Sequence, residues 1–88
     1  MAMKQVKVFL GSWSNAKPIL EWLEKDWPQD VSKPRYSDMP AREPMLHLST
    51  RQGIVDVLPG ESISKDIHGT FYVRGVSLKL HPKYELAE

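Results

Sequence analysis

The chain opens with alternating apolar and polar positions and continues into a run with helical spacing. Over residues 4–10, Val6, Val8 and Leu10 alternate with their neighbours, which is the period-2 pattern of a half-buried strand. Apolar residues then recur at the i, i+4, i+7 and i+11 positions of one helix face. The residues of this stripe are Ala16, Leu20, Leu23 and Trp27. We therefore predict a strand over 4–10 and a helix over 14–26.

The ends of this helix carry capping and stop signals. Ser14 or Asn15 can cap the N-terminus, because either side chain can accept a hydrogen bond from a free backbone N–H group. Pro18 is expected in the first turn, where its missing N–H donor costs little. Pro28 disfavours helical backbone at the residue before it, so the helix is predicted to stop there.

Residues 28–44 lack apolar periodicity and include four prolines. We predict a long proline-rich loop over this range. Loops longer than about 12–15 residues are uncommon in compact domains unless they are functional or mobile. The loop is therefore a candidate recognition element.

The remainder of the chain alternates short apolar runs with turn signals. Strands are predicted over 45–50, 54–58, 62–67 and 70–80, and a short last strand over 83–86. Pro59-Gly60 and His68-Gly69 supply the turns between them. The predicted fold is α+β, with the N-terminal strand and one helix packed on a mainly antiparallel β-meander sheet of four to five strands. Residues 1–88 are expected to form a single domain.

Composition excludes several classes of function. The chain has no cysteine, so disulfides and thiolate chemistry are excluded. Twelve basic residues against eleven acidic residues give a net charge of +1. Nucleic acid is therefore not an expected partner, because its binding needs clustered excess basic charge. The longest apolar runs are too short for a transmembrane helix or a signal peptide, so we expect a cytoplasmic protein and no membrane partner.

Two His-x-Ser/Thr triplets stand at His47-Leu48-Ser49 and His68-Gly69-Thr70. Such a pair on facing strands resembles the motifs of the two-histidine phosphoesterases. On a strand, the histidine and the residue two positions later share a face, so that acid–base chemistry and phosphate binding can be combined. That family's domains are about twice as long, and His68-Gly69 also suits a hairpin turn. We predict no enzyme and keep a minimal two-histidine phosphodiesterase as an alternative.

No metal or cofactor is predicted. The candidate ligands have no tight spacing such as two histidines on one helix turn. These residues are His47, Asp56, Asp66, His68 and His81. The isolated glycines do not form a phosphate-binding loop.

The segment from Pro59 to Val73 resembles a C-terminal block of small tailed-bacteriophage proteins of unknown function. The block joins a Pro-Gly-acid turn to a Gly-x-Phe-Tyr strand. The matching residues are Thr50, Gly53, Pro59, Gly60, Glu61, Gly69, Phe71, Tyr72, Tyr84 and Glu85. Thr70 stands where that class has an acid. The resemblance implies a phage or prophage accessory protein in the host cell cytoplasm, and it carries over no catalytic residue.

Aromatic and arginine side chains are the candidate binding residues. Trp13, in a Gly-Ser-Trp-Ser turn, is the tryptophan expected to be exposed, and tryptophan is enriched at binding hot spots. The full set is Trp13, Arg35, Tyr36, Arg42, Tyr72 and Arg74. We expect binding to a host protein through the loop, and a homodimer through a sheet edge is plausible. The alternative is a nucleotide-binding protein with Trp13, Tyr36 or Tyr72 beside arginines.

Overall fold

The computed structural model describes residues 5–40 and 42–80. The elements are β1 (Gln5–Val8), α1 (Trp13–Glu24), β2 (Arg35–Ser37), β3 (Met45–Thr50), β4 (Gly53–Val57), β5 (Ser62–Lys65), β6 (Phe71–Val73) and β7 (Val76–Ser77). The strands form two antiparallel sheets, ordered β1-β5-β6-β7 and β2-β3-β4. One helix with antiparallel strands confirms the predicted α+β class.

The predicted meander is divided between the two sheets, because β5 pairs with β1 instead of β4. The Pro59-Gly60 turn explains the division. The Gly60 N–H donates to the Phe9 carbonyl at 2.7 Å, and the Phe9 N–H donates to the Glu61 carbonyl at 2.9 Å. The turn is therefore bonded to the extension of β1, and the chain passes from one sheet to the other at this point.

The helix begins earlier than predicted. Its N-cap is Ser12, whose Oγ accepts from the Asn15 N–H at 3.2 Å. The Asn15 side chain is engaged with β1 and is not a cap, so the helix starts at Trp13 and Pro18 lies in the second turn. The regular helix ends at Glu24, although the Trp27 N–H still donates to the Glu24 carbonyl at 3.3 Å.

Helix α1 lies against the β1-β5-β6-β7 sheet. Trp22 meets Phe71 edge to face, with ring centroids 5.4 Å apart, and its indole N–H donates to Gln5 Oε1 at 2.7 Å. Trp27 contacts the same Phe71 ring at 6.1 Å. The apolar stripe expected from the helical spacing is buried, and Ile19 is buried beside it.

The predicted loop over 28–44 contains a short strand. β2 pairs with β3, which places Tyr36 opposite Leu46. The Trp27 indole N–H donates to the Ser32 carbonyl at 2.8 Å and fixes the start of this segment. Pattern alone did not predict β2, because it has only three residues and pairs with a strand that comes later in the chain.

The helix and both sheets share one buried cluster. Its members are Phe9, Ala16, Ile19, Leu20, Leu23, Trp27, Leu46, Leu48, Val57, Ile63, Phe71, Val73, Leu78 and Leu80. The predicted strand over 70–80 is interrupted at Arg74-Gly75, where both residues have positive φ and form the β6–β7 turn. The predicted strand over 83–86 lies outside the described residues. Within the described ranges, no helix has the length and apolar character needed to cross a membrane.

Candidate functional site

An exposed tryptophan, Trp13, and a half-buried tyrosine, Tyr36, lie in contact where β1, α1 and β2 meet. Trp13 is 54% exposed, whereas Trp27 is 7% exposed. The Trp13 ring lies against Tyr36, with centroids 5.5 Å apart and planes inclined by 50°. Tyr36 in turn meets the buried Phe9 ring edge to face at 6.2 Å. The exposed Trp13 ring therefore packs on Tyr36, and Tyr36 packs on the buried Phe9 ring.

Gly11 lies at the centre of this region. It is buried and has φ of +101°. Its carbonyl accepts from the Tyr36 hydroxyl at 3.0 Å. A Cβ atom at this position would lie 3.3 Å from Pro59 Cγ and 3.8 Å from Pro44 Cγ. Glycine is therefore favoured by its backbone conformation and by the close approach of Pro59, whereas Pro44 would be at ordinary contact distance.

We call the surface around Gly11 the aromatic patch. It comprises Leu10, Trp13, Tyr36, Pro44 and Pro59. None of these residues is charged, and Leu10 is 68% exposed. The patch draws on the β1–α1 turn, β2, the end of the proline-rich segment and the β4–β5 turn. Leu10, Trp13 and Pro59 are exposed, whereas Tyr36 and Pro44 are half-buried. Apolar residues grouped at the surface mark interaction sites more often than scattered ones do.

Asn15 fixes the turn that carries Trp13. Its Oδ1 accepts from the Leu10 N–H at 2.6 Å, and its Nδ2 donates to the Val8 carbonyl at 3.2 Å. The amide thus bonds the extended chain as a neighbouring strand would, while the Asn15 backbone N–H is held by Ser12. Trp13, between these anchors, starts the helix from a constrained backbone.

Tyr36 is the ionisable residue of the patch, and Asp38 follows it two positions later. Burial of the Tyr36 hydroxyl and, after it, the neighbouring Asp38 carboxylate raise the pKa of Tyr36 above its ordinary value. Asp38 forms no ion pair within the described residues. Its negative charge is therefore available at the border of the patch.

The structure brings together two of the six predicted binding residues, Trp13 and Tyr36. Arg35 precedes Tyr36 on β2 and so projects from the opposite face, where it lies across from His47 on β3. Arg42 is exposed in the segment before β3, and its backbone N–H donates to the Met39 carbonyl at 3.0 Å.

The other two predicted binding residues have structural partners in or next to the β1-β5-β6-β7 sheet. The Tyr72 hydroxyl donates to Asp66 Oδ2 at 3.0 Å. Arg74 donates to Glu61 Oε1 at 2.6 Å and to the Asp56 carbonyl at 3.1 Å. The Asp56 carbonyl belongs to β4, so Arg74 connects the two sheets.

Sequence reasoning missed Leu10, Pro44 and Pro59 as members of the site. Leu10 was assigned to the strand pattern and Pro59 to a turn. A glycine between a strand and a helix was the available signal, because it indicates a close approach of other chain segments. Which segments approach Gly11 depends on the tertiary fold.

The two histidine triplets do not lie on facing strands. His47 is on β3, and its Nδ1 lies 2.7 Å from Asp56 Oδ1 on β4. His68 is exposed in the β5–β6 turn of the other sheet, and its backbone N–H donates to Asp66 Oδ1 at 2.9 Å. His81 lies outside the described residues. Among those described, no three acidic or histidine side chains form a group suited to a metal ion.

Three cavities of the described residues lie away from the patch. A groove of about 290 Å³ runs between the edge strands β4 and β7, and it includes Ile54, Arg74 and Val76 but no aromatic residue among its described walls. A shallower one of about 560 Å³ lies beside the β5–β6 turn, where Lys65 and Asp26 form an ion pair. A third, of about 460 Å³, includes Asp30 and Arg51 but no aromatic residue among its described walls. None of the three combines arginine with an aromatic ring, as the predicted nucleotide pocket requires.

Comparison of the chain with protein-family models, with curated proteins and with solved structures finds no match. No family assignment follows from these comparisons. Function must therefore be inferred from the geometry of the described residues, and the resemblance to tailed-phage proteins stays a prediction.

Proposed function

We propose that this chain is a non-catalytic binding protein that recognises a partner protein through the aromatic patch. The observation that carries the proposal is the exposed Trp13 ring supported by Tyr36 and, through it, by the core. Tryptophan and tyrosine are enriched among the residues that dominate binding energy. They supply a large contact area with few rotatable bonds.

The patch has two further properties of an interface centre. Its five residues carry no charge, and charged residues are depleted at the cores of protein interfaces. Its backbone is held by Ser12, Asn15 and the Tyr36–Gly11 hydrogen bond. Less conformational entropy is lost on binding when contact residues are already ordered.

The biological setting of the proposal comes from the resemblance to tailed-phage proteins. Pro59-Gly60-Glu61 and Gly69-Thr70-Phe71-Tyr72 carry that resemblance. On this basis the partner is a protein of the bacterial host, met in the host cytoplasm. Pro59 belongs both to the resembling block and to the aromatic patch, which is what links the resemblance to the site.

The proposal is tested by quantitative capture from host lysate with three immobilised proteins: wild type, Trp13→Ala and Ile67→Ala. Ile67 is 59% exposed on the β5–β6 turn and serves as the matched control for loss of an exposed apolar side chain. We expect a host protein that wild type and Ile67→Ala retain equally. Trp13→Ala should weaken its binding by about 2 kcal/mol, or roughly 30-fold, the loss typical of a hot-spot residue.

Circular dichroism and a urea titration establish first that all three proteins are folded. Equal retention by all three would exclude the patch as the contact surface. A host protein that Trp13→Ala retains and Arg42→Ala loses would place the contact on the proline-rich segment instead.

A further inference from the structure

The three tryptophans differ in what their indole N–H groups bond. The Trp22 N–H donates to Gln5 Oε1 at 2.7 Å, and the Trp27 N–H donates to the Ser32 carbonyl at 2.8 Å. The Trp13 N–H has no acceptor among residues 5–40 and 42–80. Because the ring is also the most exposed of the three, its donor is available to an acceptor on a partner.

The hydrogen-bonding groups at the centre of the patch are bonded to each other. The Gly11 carbonyl, which is the acceptor at its centre, is already bonded to the Tyr36 hydroxyl. The same bond uses the phenolic O–H as a donor. The side chains of the patch therefore offer a ligand two inclined ring faces, the rings of Pro44 and Pro59, and one indole N–H that is free within the described residues.

A ligand that complements these side chains brings apolar rings and a carbonyl acceptor for the indole N–H. Proline residues supply both, because their side chain closes an apolar ring and their carbonyl remains a strong acceptor. In the polyproline II conformation these carbonyls are unbonded within the chain and point outward. Aromatic-lined surfaces bind such segments at a low entropic cost, since the conformation is preformed.

Asp38 adds a charge preference. Asp38 is exposed two positions after Tyr36 in the chain, and it has no ion-pair partner within the described residues. A basic residue next to the prolines would complement it, and such rim charges select between partners and affect the association rate.

We propose that the aromatic patch binds a proline-rich segment in the polyproline II conformation with a basic residue beside the prolines. This inference rests on the proposed function, because it names the chemistry of the partner segment that the patch recognises. Trp13 donates its indole N–H to a backbone carbonyl of the segment, proline rings pack on Trp13 and Tyr36, and Asp38 pairs with the flanking base.

The test is a titration of fluorescein-labelled decaproline carrying an arginine at each end, followed by anisotropy. Two matched probes are decaproline with flanking glutamates and a glycine–serine peptide of equal length with flanking arginines. We expect the arginine-flanked decaproline to bind best. Its affinity should fall by at least about tenfold in Trp13→Ala and by a smaller factor in Trp13→Phe, which keeps a ring without the donor. Ile67→Ala should bind as wild type does.

Two further measurements locate the contact. In ¹⁵N-labelled protein the indole N–H signal missing from Trp13→Phe should shift on titration, and the other two should not. Asp38→Asn should remove the preference for arginine over glutamate ends.

Equal binding of the glycine–serine probe, unchanged binding by Trp13→Ala, or no binding of either decaproline at millimolar concentration would overturn the inference. Patch-dependent capture of a host protein together with no decaproline binding would overturn this inference alone and leave the proposed function standing. If neither patch-dependent capture of a host protein nor binding of decaproline is observed, both the proposed function and this inference are overturned.

Discussion

Gly11 is the single position at which the conformation of the backbone and the candidate site are most closely linked. Its positive φ lets the chain turn from β1 into α1, and its missing Cβ lets Pro44 and Pro59 approach. Its carbonyl also fixes Tyr36. A side chain at this position would therefore affect both folding and the orientation of the aromatic rings.

Gly11→Ala is expected to destabilise the protein more than Gly53→Ala. Both glycines have positive φ, so both substitutions introduce backbone strain of about 1–3 kcal/mol. Only at Gly11 does the new methyl group meet neighbours, since nothing lies within 4 Å of the corresponding position at Gly53. Urea denaturation of the two variants measures the difference. Equal losses of stability in the Gly11→Ala and Gly53→Ala variants would show that the proline rings move aside with no loss of free energy.

Among the elements, the β5–β6 hairpin has the most strongly bonded turn. Asp66 Oδ1 accepts from the His68 and Thr70 backbone N–H groups at 2.9 and 3.0 Å, and its Oδ2 accepts from the Tyr72 hydroxyl at 3.0 Å. The bond from Thr70, followed by those from Tyr72 and His68, lowers the pKa of Asp66 below its ordinary value of 3.8. The ionised carboxylate is thus the form that the folded turn favours.

This shift predicts an acid-dependent loss of stability. Because the pKa is lower in the folded than in the unfolded chain, the contribution of Asp66 is complete above the unfolded value and is lost as pH falls through the folded value. The stability advantage of wild type over Asp66→Asn should therefore be constant near neutral pH and shrink below pH 3.8. Urea midpoints measured across this range test it, with exposed Glu21→Gln as the control. An advantage that persists unchanged in acid would contradict the assigned bonds.

Local pattern predicted the elements better than their pairing. Alternation located β3, β4 and β5, because each presents apolar residues to the core. It also located β1, but the prediction that this strand is half-buried was wrong, because Val6, Val8 and Leu10 are exposed and the buried residue is the following Phe9. The run over 70–80 was predicted as one strand, since Arg74 gives no sign in the sequence of its left-handed conformation. The β1–β5 pairing joins residues more than fifty positions apart and has no local signal.

The candidate site was predictable to the same extent. Trp13 and Tyr36 were identified because of their residue type and their positions in a turn and a loop. Their contact, and the approach of Pro44 and Pro59 to Gly11, depend on how β2 and the β4–β5 turn pack against the end of β1. The four candidates left outside the patch are three arginines and Tyr72, which are also residue types enriched at binding hot spots, so residue type alone did not separate them from Trp13 and Tyr36.

For the molecule as a whole, Phe71 connects the helix to the sheets. It is buried and contacts both Trp22 and Trp27. Phe71→Ala should destabilise the fold by about 3–5 kcal/mol, because it leaves a cavity between two tryptophan rings. Leu58→Ala, at a partly exposed position, is the control and should cost much less. Chemical denaturation and the near-ultraviolet signal of the tryptophans provide the measurement. A small effect of Phe71→Ala would contradict a shared core.

The aromatic patch lies at one end of this arrangement, where segments from both sheets and the helix meet. Its residues come from four separate parts of the chain, so it exists only in the folded molecule. The proposed binding activity should accordingly be lost on unfolding and should depend on Gly11 as well as on Trp13.

The most direct measurement is site-specific photocrosslinking in host lysate. Benzoylphenylalanine is incorporated at Leu10, which is exposed and precedes Gly11 in the patch, or at Ile67, which is exposed on the β5–β6 turn. Contact through the patch predicts one dominant covalent adduct with a host protein from the Leu10 position and none from the Ile67 position. An adduct from Ile67 alone, or a captured host protein that neither position crosslinks, would contradict the proposal that the patch is the binding surface.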